Sequence, residues 1–398
     1  MSDKRQLNLH LTNSVNRPDA QIIYPVLSEC GDLLFVAYQY PIVSSGSVAA
    51  ELFRNVNGEL VSIRQFFLTS EFPVAQAGGA ASHDFSRFVV LTQEAFFGSG
   101  RALITVLDEN FNVIASRILE NFPLFTLSLL TANAFTPGNS FITLSYANTF
   151  APDQISNLLV LDTNTLATVA ETTFSGFSNG PSFFTLKDKC GCLRYFIFLA
   201  AAGATAGNTF IAPASAYVWE FFPKNLKLVL RDQVGLPQFS PTHSIVAIKK
   251  HRLALIGVGT HEAQGKCEIS PSTTPQLPLS TRDGHELRLY TFDGKELCLV
   301  ISQDIGATVA PLEIHPSGKY LVYGLESDAL TALSPAFAID LKNKTLVCSG
   351  DKLHPIPGST LDATFSENGK WFATGGSGSQ GLNAIQLYFV EFSHAKKW

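Results

Sequence analysis

Three observations predict an all-β fold, a seven-bladed β-propeller with four antiparallel strands per blade. A turn signal recurs seven times at near-constant spacing, a strand-forming run follows each copy, and the two chain ends together make up about one more period. The turn pairs are Gly31-Asp32, His83-Asp84, Gly138-Asn139, Gly191-Cys192, Lys250-His251, Gly318-Lys319 and Gly369-Lys370. Counted from the first residue of each pair, except at Asp84 and His251, the steps are 53, 54, 53, 60, 67 and 51 residues. A fixed period of this size marks a solenoid, a propeller or an array. The 29 residues after Gly369 and the 31 up to Gly31 close the count into a ring.

Each turn leads into a β-branched and aromatic run: "LLFVAYQ" from Leu33, "RFVVLTQ" from Arg87, "SFITLSY" from Ser140, "RYFIFLA" from Arg194, "LALIGVG" from Leu253, "YLVYGLE" from Tyr320 and "WFATGGS" from Trp371. Such runs between Gly, Asp and Asn clusters are strand signals. A hairpin of two further strands follows in six of the units, turning at 55–59, 108–112, 162–166, 222–226, 292–296 and 341–345, where Asn, Asp-Gly and Lys-Asn chemistry suits tight turns. The last unit stops at its third strand, "AIQLYFVEFS" from Ala384. Its fourth is expected from the N-terminus, "QLNLHLTNSV" from Gln6 to Val15, which alternates Leu7, Leu9 and Leu11 with polar residues. One domain spans 1–398, with blades near 24–72, 73–122, 123–176, 177–236, 237–306, 307–355 and 356–398 plus 6–15.

Composition narrows the function classes. Charged residues make up only 15% of the chain against roughly 25% in a typical soluble domain, and the net charge is −5. Phosphate binding needs clustered Lys and Arg, so nucleic acid is not an expected partner. The start is polar and no run of about 18 apolar residues occurs, so neither a signal peptide nor a membrane span is expected. Cys30, Cys190, Cys192, Cys267, Cys298 and Cys348 are irregularly spaced and read as reduced thiols. The chain reads as a cytoplasmic monomer, with export lacking a signal as the other route.

At "IHPSGKYLVYGLES" (Ile314 to Ser327) and "TFSENGKWFATGGS" (Thr364 to Ser377) the chain resembles the seven-bladed propellers of the YVTN and lactonase-like group. Their blades carry an apolar-x-Pro-Asp-Gly-Lys-aromatic-apolar signature between the first two strands. Two blades match well and the others loosely. The signature is a turn and a buried strand, so it implies the fold more than an activity. In the lactonase branch the matching blade carries Pro-Arg-His before the first strand and ends its second strand in Glu. Glu326 takes the place of that Glu, whereas "VAPLEIHP" (Val309 to Pro316) lacks the Arg-His pair. Neither the Trp-Asp dipeptides of WD40 repeats nor the Asp boxes of sialidases occur.

Connections in a propeller alternate between two faces. One set, the hairpin turns, is short. The other holds long segments: 39–48, 94–102, 147–156, 200–215, 260–286, 326–335 and 376–383. Long loops on a rigid scaffold are where binding usually resides. The candidate ligand-binding residues on this face and at the channel mouth are Tyr40, Phe97, Arg101, His261, His285 and Glu326. The 260–286 segment gathers His261, Glu262, Cys267, Glu268, Arg282, Asp283, His285 and Glu286, which could hold a metal or supply acid and base groups. Read plainly, it is a solvated polar loop rich in Pro, Ser and Thr. Cys190-Gly191-Cys192 reads as an ordinary turn, because structural zinc needs a second ligand pair. No Gly-x-Ser-x-Gly nucleophile elbow, metal or cofactor is expected.

Two function classes lead, with a cofactor-dependent oxidoreductase, for which no ligand set is identified, third. The first is a non-catalytic propeller that binds a protein or a small ligand on its long-loop face. The second is a lactonase-type hydrolase acting on a sugar lactone, with Glu326 as the catalytic carboxylate and a basic partner from Arg101, His261 or His285.

Overall fold

The computed structural model describes residues 5–17, 20, 22–39, 47–67, 74–96, 99–122, 133–147, 155–178, 180–202, 205–206, 209–210, 214–236, 239–240, 247–249, 252–259, 285–306, 308–326, 331–334, 336–349, 354–355, 359–377 and 383–394. They form an all-β propeller of antiparallel sheets. The first two sheets run in chain order from an inner to an outer strand. The first comprises Ile22–Leu27, Leu33–Gln39, Val48–Val56 and Glu59–Phe67, and the second comprises Val74–Ala81, Arg87–Phe96, Ser99–Asp108 and Val113–Phe122. The inner strands are those that meet across sheets. Ile22–Leu27 packs on both Val74–Ala81 and Ser359–Phe365, and Thr308–Ile314 packs on Ser359–Phe365 and Ala247–Lys249.

Among the described residues six sheets carry four or more strands, which corrects the expectation of seven four-stranded blades. In the fourth and fifth sheets the inner strand is broken in two: Phe177–Ser178 and Ser182–Lys187 both pair with Leu193–Ala202, and Phe239–Ser240 and Ala247–Lys249 both pair with Arg252–Gly259. The exception is the third sheet, within the segment expected as blade 123–176, which has three strands: Phe141–Ala147, Ile155–Asp162 and Thr168–Ser175. Among the described residues its inner side shows an isolated bridge between Phe135 and Ile142.

The last sheet takes its outer strand from the N-terminus. Arg5–Asn16 pairs antiparallel with Ala384–His394, from Arg5 opposite His394 to Asn16 opposite Ala384. Leu7 and Leu9 are buried, but Leu11 is 53% exposed. A bulge between Leu11 and Asn13 breaks the alternation there and re-aims the side chains.

The recurring turn has a residue-level cause. Ser28, Ser82 and Ser366 follow inner strands, Thr136 follows the bridge residue Phe135, and their side-chain oxygens accept the N–H five residues on, at 2.9–3.1 Å, from Leu33, Arg87, Trp371 and Phe141. The third residue after each closes a tight turn with positive φ: Gly31 (75°), Phe85 (56°), Asn139 (60°) and Gly369 (69°). Four of the described hairpin turns instead carry an Asp, at 108, 162, 293 and 340, whose carboxylate caps the turn. Asp108 Oδ1 accepts N–H groups from Asn110 and Asn112, and Asp340 Oδ1 accepts from Lys342 and Asn343.

The core lies between sheets. Tyr24, Phe35, Phe85, Phe88 and Phe111 fill the first interface, with Phe35 stacked on Phe88 at 4.9 Å. Ile23, Leu34 and Val36 of the first sheet pack against Ala373, Ile385 and Leu387 of the last. Turns of neighbouring sheets are also tied. His315 Nε2 lies 3.1 Å from the Gly369 carbonyl, Asn368 donates to the Glu29 and Cys30 carbonyls, and Asn139 donates to Asp84. Cys30, Cys190, Cys192 and Cys298 are free thiols, whereas Cys348 is disulfide-bonded, which corrects the reading of all six as reduced.

Candidate functional site

The inner strands and the long-loop ends of the sheets frame the candidate site. Three inner strands carry a bulge in their long-loop half, between Val74 and Gln76, Val309 and Leu312, and Thr360 and Asp362. Bulges concentrate at rims and next to sites because they re-aim side chains. Asp362 follows the last of these bulges and pairs with Gly375. A Cβ at Gly375 would collide with the Ile23 carbonyl, so glycine is what lets the first sheet close on the last beside Asp362.

Asp362 is the most perturbed carboxyl of this region. Solvent reaches part of it, yet protein surrounds it on all sides, and that desolvation pushes its pKa up to about 7. The Ala363 N–H, donating at 2.8 Å, offsets this only in part. Burial at this inner position leaves the carboxylate poorly solvated. Burial first, and then the Asp362 charge, raise the Tyr24 phenol well above its ordinary value. Asp362 can therefore exchange a proton near neutrality, whereas Tyr24 keeps its own. Among the described residues no group of three His, Cys, Asp or Glu could hold a metal ion.

Other buried carboxylates are closed off by arginines. Glu51 is fully buried and accepts from Arg17 at 2.6 and 3.2 Å, Tyr38 at 2.8 Å and Gln65 at 3.0 Å. Burial alone would raise its pKa, but hydrogen bonds from Ser62, Arg17, Gln65 and Tyr38 hold it below the usual carboxylate range. Glu220 is gripped by Arg194 at 2.7 and 2.8 Å and by Arg231 at 2.6 Å, and Glu286 by Arg288 at 2.8 Å and by Ser302. Several of these guanidiniums also lie over aromatic rings, Arg17 over Phe53 and Arg194 over Phe196. The same connection is stapled across the ring seam: Arg17 N donates to the Asn383 carbonyl at 2.7 Å, and the Asn383 amide donates to the Ala20 carbonyl.

The residues singled out from sequence are placed as follows. Tyr40, Phe97 and His261 lie outside the described residues. Glu326 closes the strand Tyr320–Glu326 with its main chain opposite Thr331, so part of the loop expected at 326–335 is a strand, Thr331–Leu333. His285 opens His285–Phe292 with its main chain opposite Val258 and Gly306. Glu326 and His285 thus share the long-loop end of adjacent sheets, and Arg101 belongs to the second sheet, away from both. The loop expected at 94–102 is corrected too: the ladder continues to Phe96 opposite Ser99, and Arg101 is a half-buried strand residue opposite Glu94. Glu286, expected in a solvated loop, is a buried strand residue paired with Arg288.

The expectation of no Gly-x-Ser-x-Gly run is also corrected, since Gly176 to Gly180 reads that way. Ser178 does not form an elbow. It is buried in the two-residue strand Phe177–Ser178, its Oγ accepts the Gly180 N–H at 3.1 Å, and no helix follows. Sequence reasoning missed Asp362 and the arginine clamps. An Asp just before the "ATFSENGK" turn motif was the one available signal for Asp362, because that stretch is an inner strand.

Comparison with known proteins supports the fold. No protein family matches the sequence, and no curated protein does. Solved structures match over nearly the whole chain at low identity. The RRP9 WD40 repeats are 9% identical with a TM-score of 0.56, covering 97% of this chain and 98% of that one. Hydrazine synthase of Kuenenia stuttgartiensis is 11% identical at 0.53, covering 96% and 97%. A putative 6-phosphogluconolactonase of Bacteroides uniformis is 15% identical at 0.51, covering 94% and 96%. At such identity the likeness carries the β-propeller fold alone.

Proposed function

We propose that this chain is a binding propeller that takes a protein or small ligand on its long-loop face and channel mouth, without catalysis. The ring reads as seven blades, the three-stranded sheet at 141–175 being the one beyond the six, closed by the N-terminal strand in the last blade. The observation that carries the binding reading is the use made of buried charge. Glu51, Glu220 and Glu286 are held by arginines within or beside their own sheets, an arrangement that fixes blade geometry and leaves those carboxylates no acceptor capacity for a substrate proton. Asp362 is then the ligand-facing polar group of the channel.

A lactonase-type hydrolase is the second reading, favoured by the Asp362 carboxyl near 7, where a general acid or base works best, and by likeness to proteins described as gluconolactonases. Hydrolysis of glucono-δ-lactone and of its 6-phosphate by the purified chain separates the two. Binding without catalysis gives the buffer rate for the wild type, Asp362→Asn and Glu326→Gln alike. Saturable turnover that is lost in either variant establishes the hydrolase and ends the non-catalytic reading.

A further inference from the structure

Two cysteines stand in the turn between Ser182–Lys187 and Leu193–Ala202, at the opposite end of Leu193–Ala202 from the long segment 200–215. Cys190 and Cys192 are both exposed free thiols. Among the described residues neither thiol is held in a hydrogen bond. Cys30 and Cys298 are exposed and free as well, but each has no second cysteine in its own turn or strand.

The turn holds the pair close. The Gly191 N–H donates to the Asp188 carbonyl at 3.0 Å and the Asp188 N–H to the Cys192 carbonyl at 2.9 Å, which closes the loop over Lys189, Cys190 and Gly191. Asp188 Oδ1 also accepts the N–H groups of Cys190 and Cys192, both at 2.8 Å, so one carboxylate pins both cysteine backbones. Gly191 between them has a φ of 79°, in the left-handed region. Helical geometry of either hand sets Cα atoms two residues apart about 5.4 Å from each other, inside the roughly 4.4–6.8 Å that a disulfide spans. A Cβ at Gly191 would meet nothing within 4 Å, so the loop stands clear of neighbouring elements and its cysteines have room to turn toward each other.

Two accessible thiols at this spacing have a chemistry that a single thiol lacks. We propose that Cys190 and Cys192 form a thiol–disulfide exchange site whose substrate is a small disulfide of the glutathione type. One cysteine, as its thiolate, attacks a sulfur of the small disulfide. The S–S bond there breaks, and the first small thiol leaves with the proton that the cysteine gave up. The second cysteine then attacks the sulfur of the first and expels the second small thiol, which takes that cysteine's proton. The cysteine pair is oxidised by two electrons to a disulfide, and the small disulfide is reduced to two thiols. The second step is intramolecular, so the mixed disulfide does not accumulate. A disulfide closed over one residue is strained, and a strained, exposed disulfide is reduced again by the same class of thiol, so exchange runs in both directions. This site is independent of the long-loop face and of Asp362.

The test is incubation of the full chain with glutathione disulfide, alkylation of the remaining thiols and mass mapping of the peptides. The peptide with Cys190 and Cys192 is expected to lose two hydrogens and carry no glutathione, while those with Cys30 and Cys298 gain glutathione and keep it. Excess glutathione in its thiol form is expected to return the pair to two alkylatable thiols. Cys190→Ser and Cys192→Ser change exposed turn positions, and in each the remaining cysteine is expected to hold glutathione as a stable mixed disulfide. The proposal is overturned if the wild-type pair keeps glutathione or stays alkylatable at both positions, or if the remaining cysteine of a single variant takes none.

Discussion

Two carboxylates define the residue scale with opposite signs. Glu51 has a folded pKa below its unfolded value, so its contribution to stability is full above the ordinary carboxylate range and is lost as pH falls through the folded value. Removing its partner leaves a buried, uncompensated charge. Arg17→Met is therefore expected to cost about 3 kcal/mol at pH 7, the low end of the range for breaking a buried pair because Arg17 itself is about a third exposed. A denaturant melt of the variant checks this, and an unchanged midpoint would show that the clamp carries no stability. Asp362 behaves the other way. With its folded pKa raised to about 7, the folded state keeps a proton the unfolded chain has lost, so this group lowers stability as pH rises from about 4 to about 7. Asp362→Asn is expected to raise the melting temperature more at pH 8 than at pH 4, and an equal effect at both would place the carboxyl at an ordinary pKa.

At the scale of elements, the turn and the hairpin explain what the sequence made legible. The Ser or Thr that ends an inner strand and the Gly or Asn after it act within six residues, so Ser28-Gly31 and Ser366-Gly369 can be read locally. All seven expected second strands are present for the same reason. Two of the clamps could not be read that way, because Arg17 and Glu51 are 34 residues apart and Arg194 and Glu220 are 26 apart. Nor could Asp362 be told from any strand residue, since its position depends on a bulge and on a glycine in the neighbouring strand. The 94–102 region misleads for a related reason: Gly and Ser there resemble a loop, but the ladder runs on to Phe96 and Ser99. Gly375 provides the test at this scale. Gly375→Ala sets a methyl group against the Ile23 carbonyl, a backbone atom that cannot move aside alone, and is expected to destabilise by about 3 kcal/mol in a denaturant melt. A loss under about 1 kcal/mol would mean the first and last sheets have slack between them.

The whole molecule is a ring whose last sheet depends on the first residues of the chain. Leu7 and Leu9 sit in one core cluster with Phe365, Phe372 and Tyr388, so the N-terminal strand contributes packing as well as hydrogen bonds. Deleting residues 1–16 would bare the edge of Ala384–His394 and is expected to lower the melting temperature and promote aggregation through that edge. Native-state hydrogen exchange tests the closed ring most directly, because it reads the intact chain amide by amide. If the ring is closed as described, the amides of Leu7, Leu9 and Val15 exchange as slowly as those of Leu387 and Val390, at the rate set by global unfolding. Free exchange of the N-terminal strand, with Ala384–His394 still protected, would contradict the account.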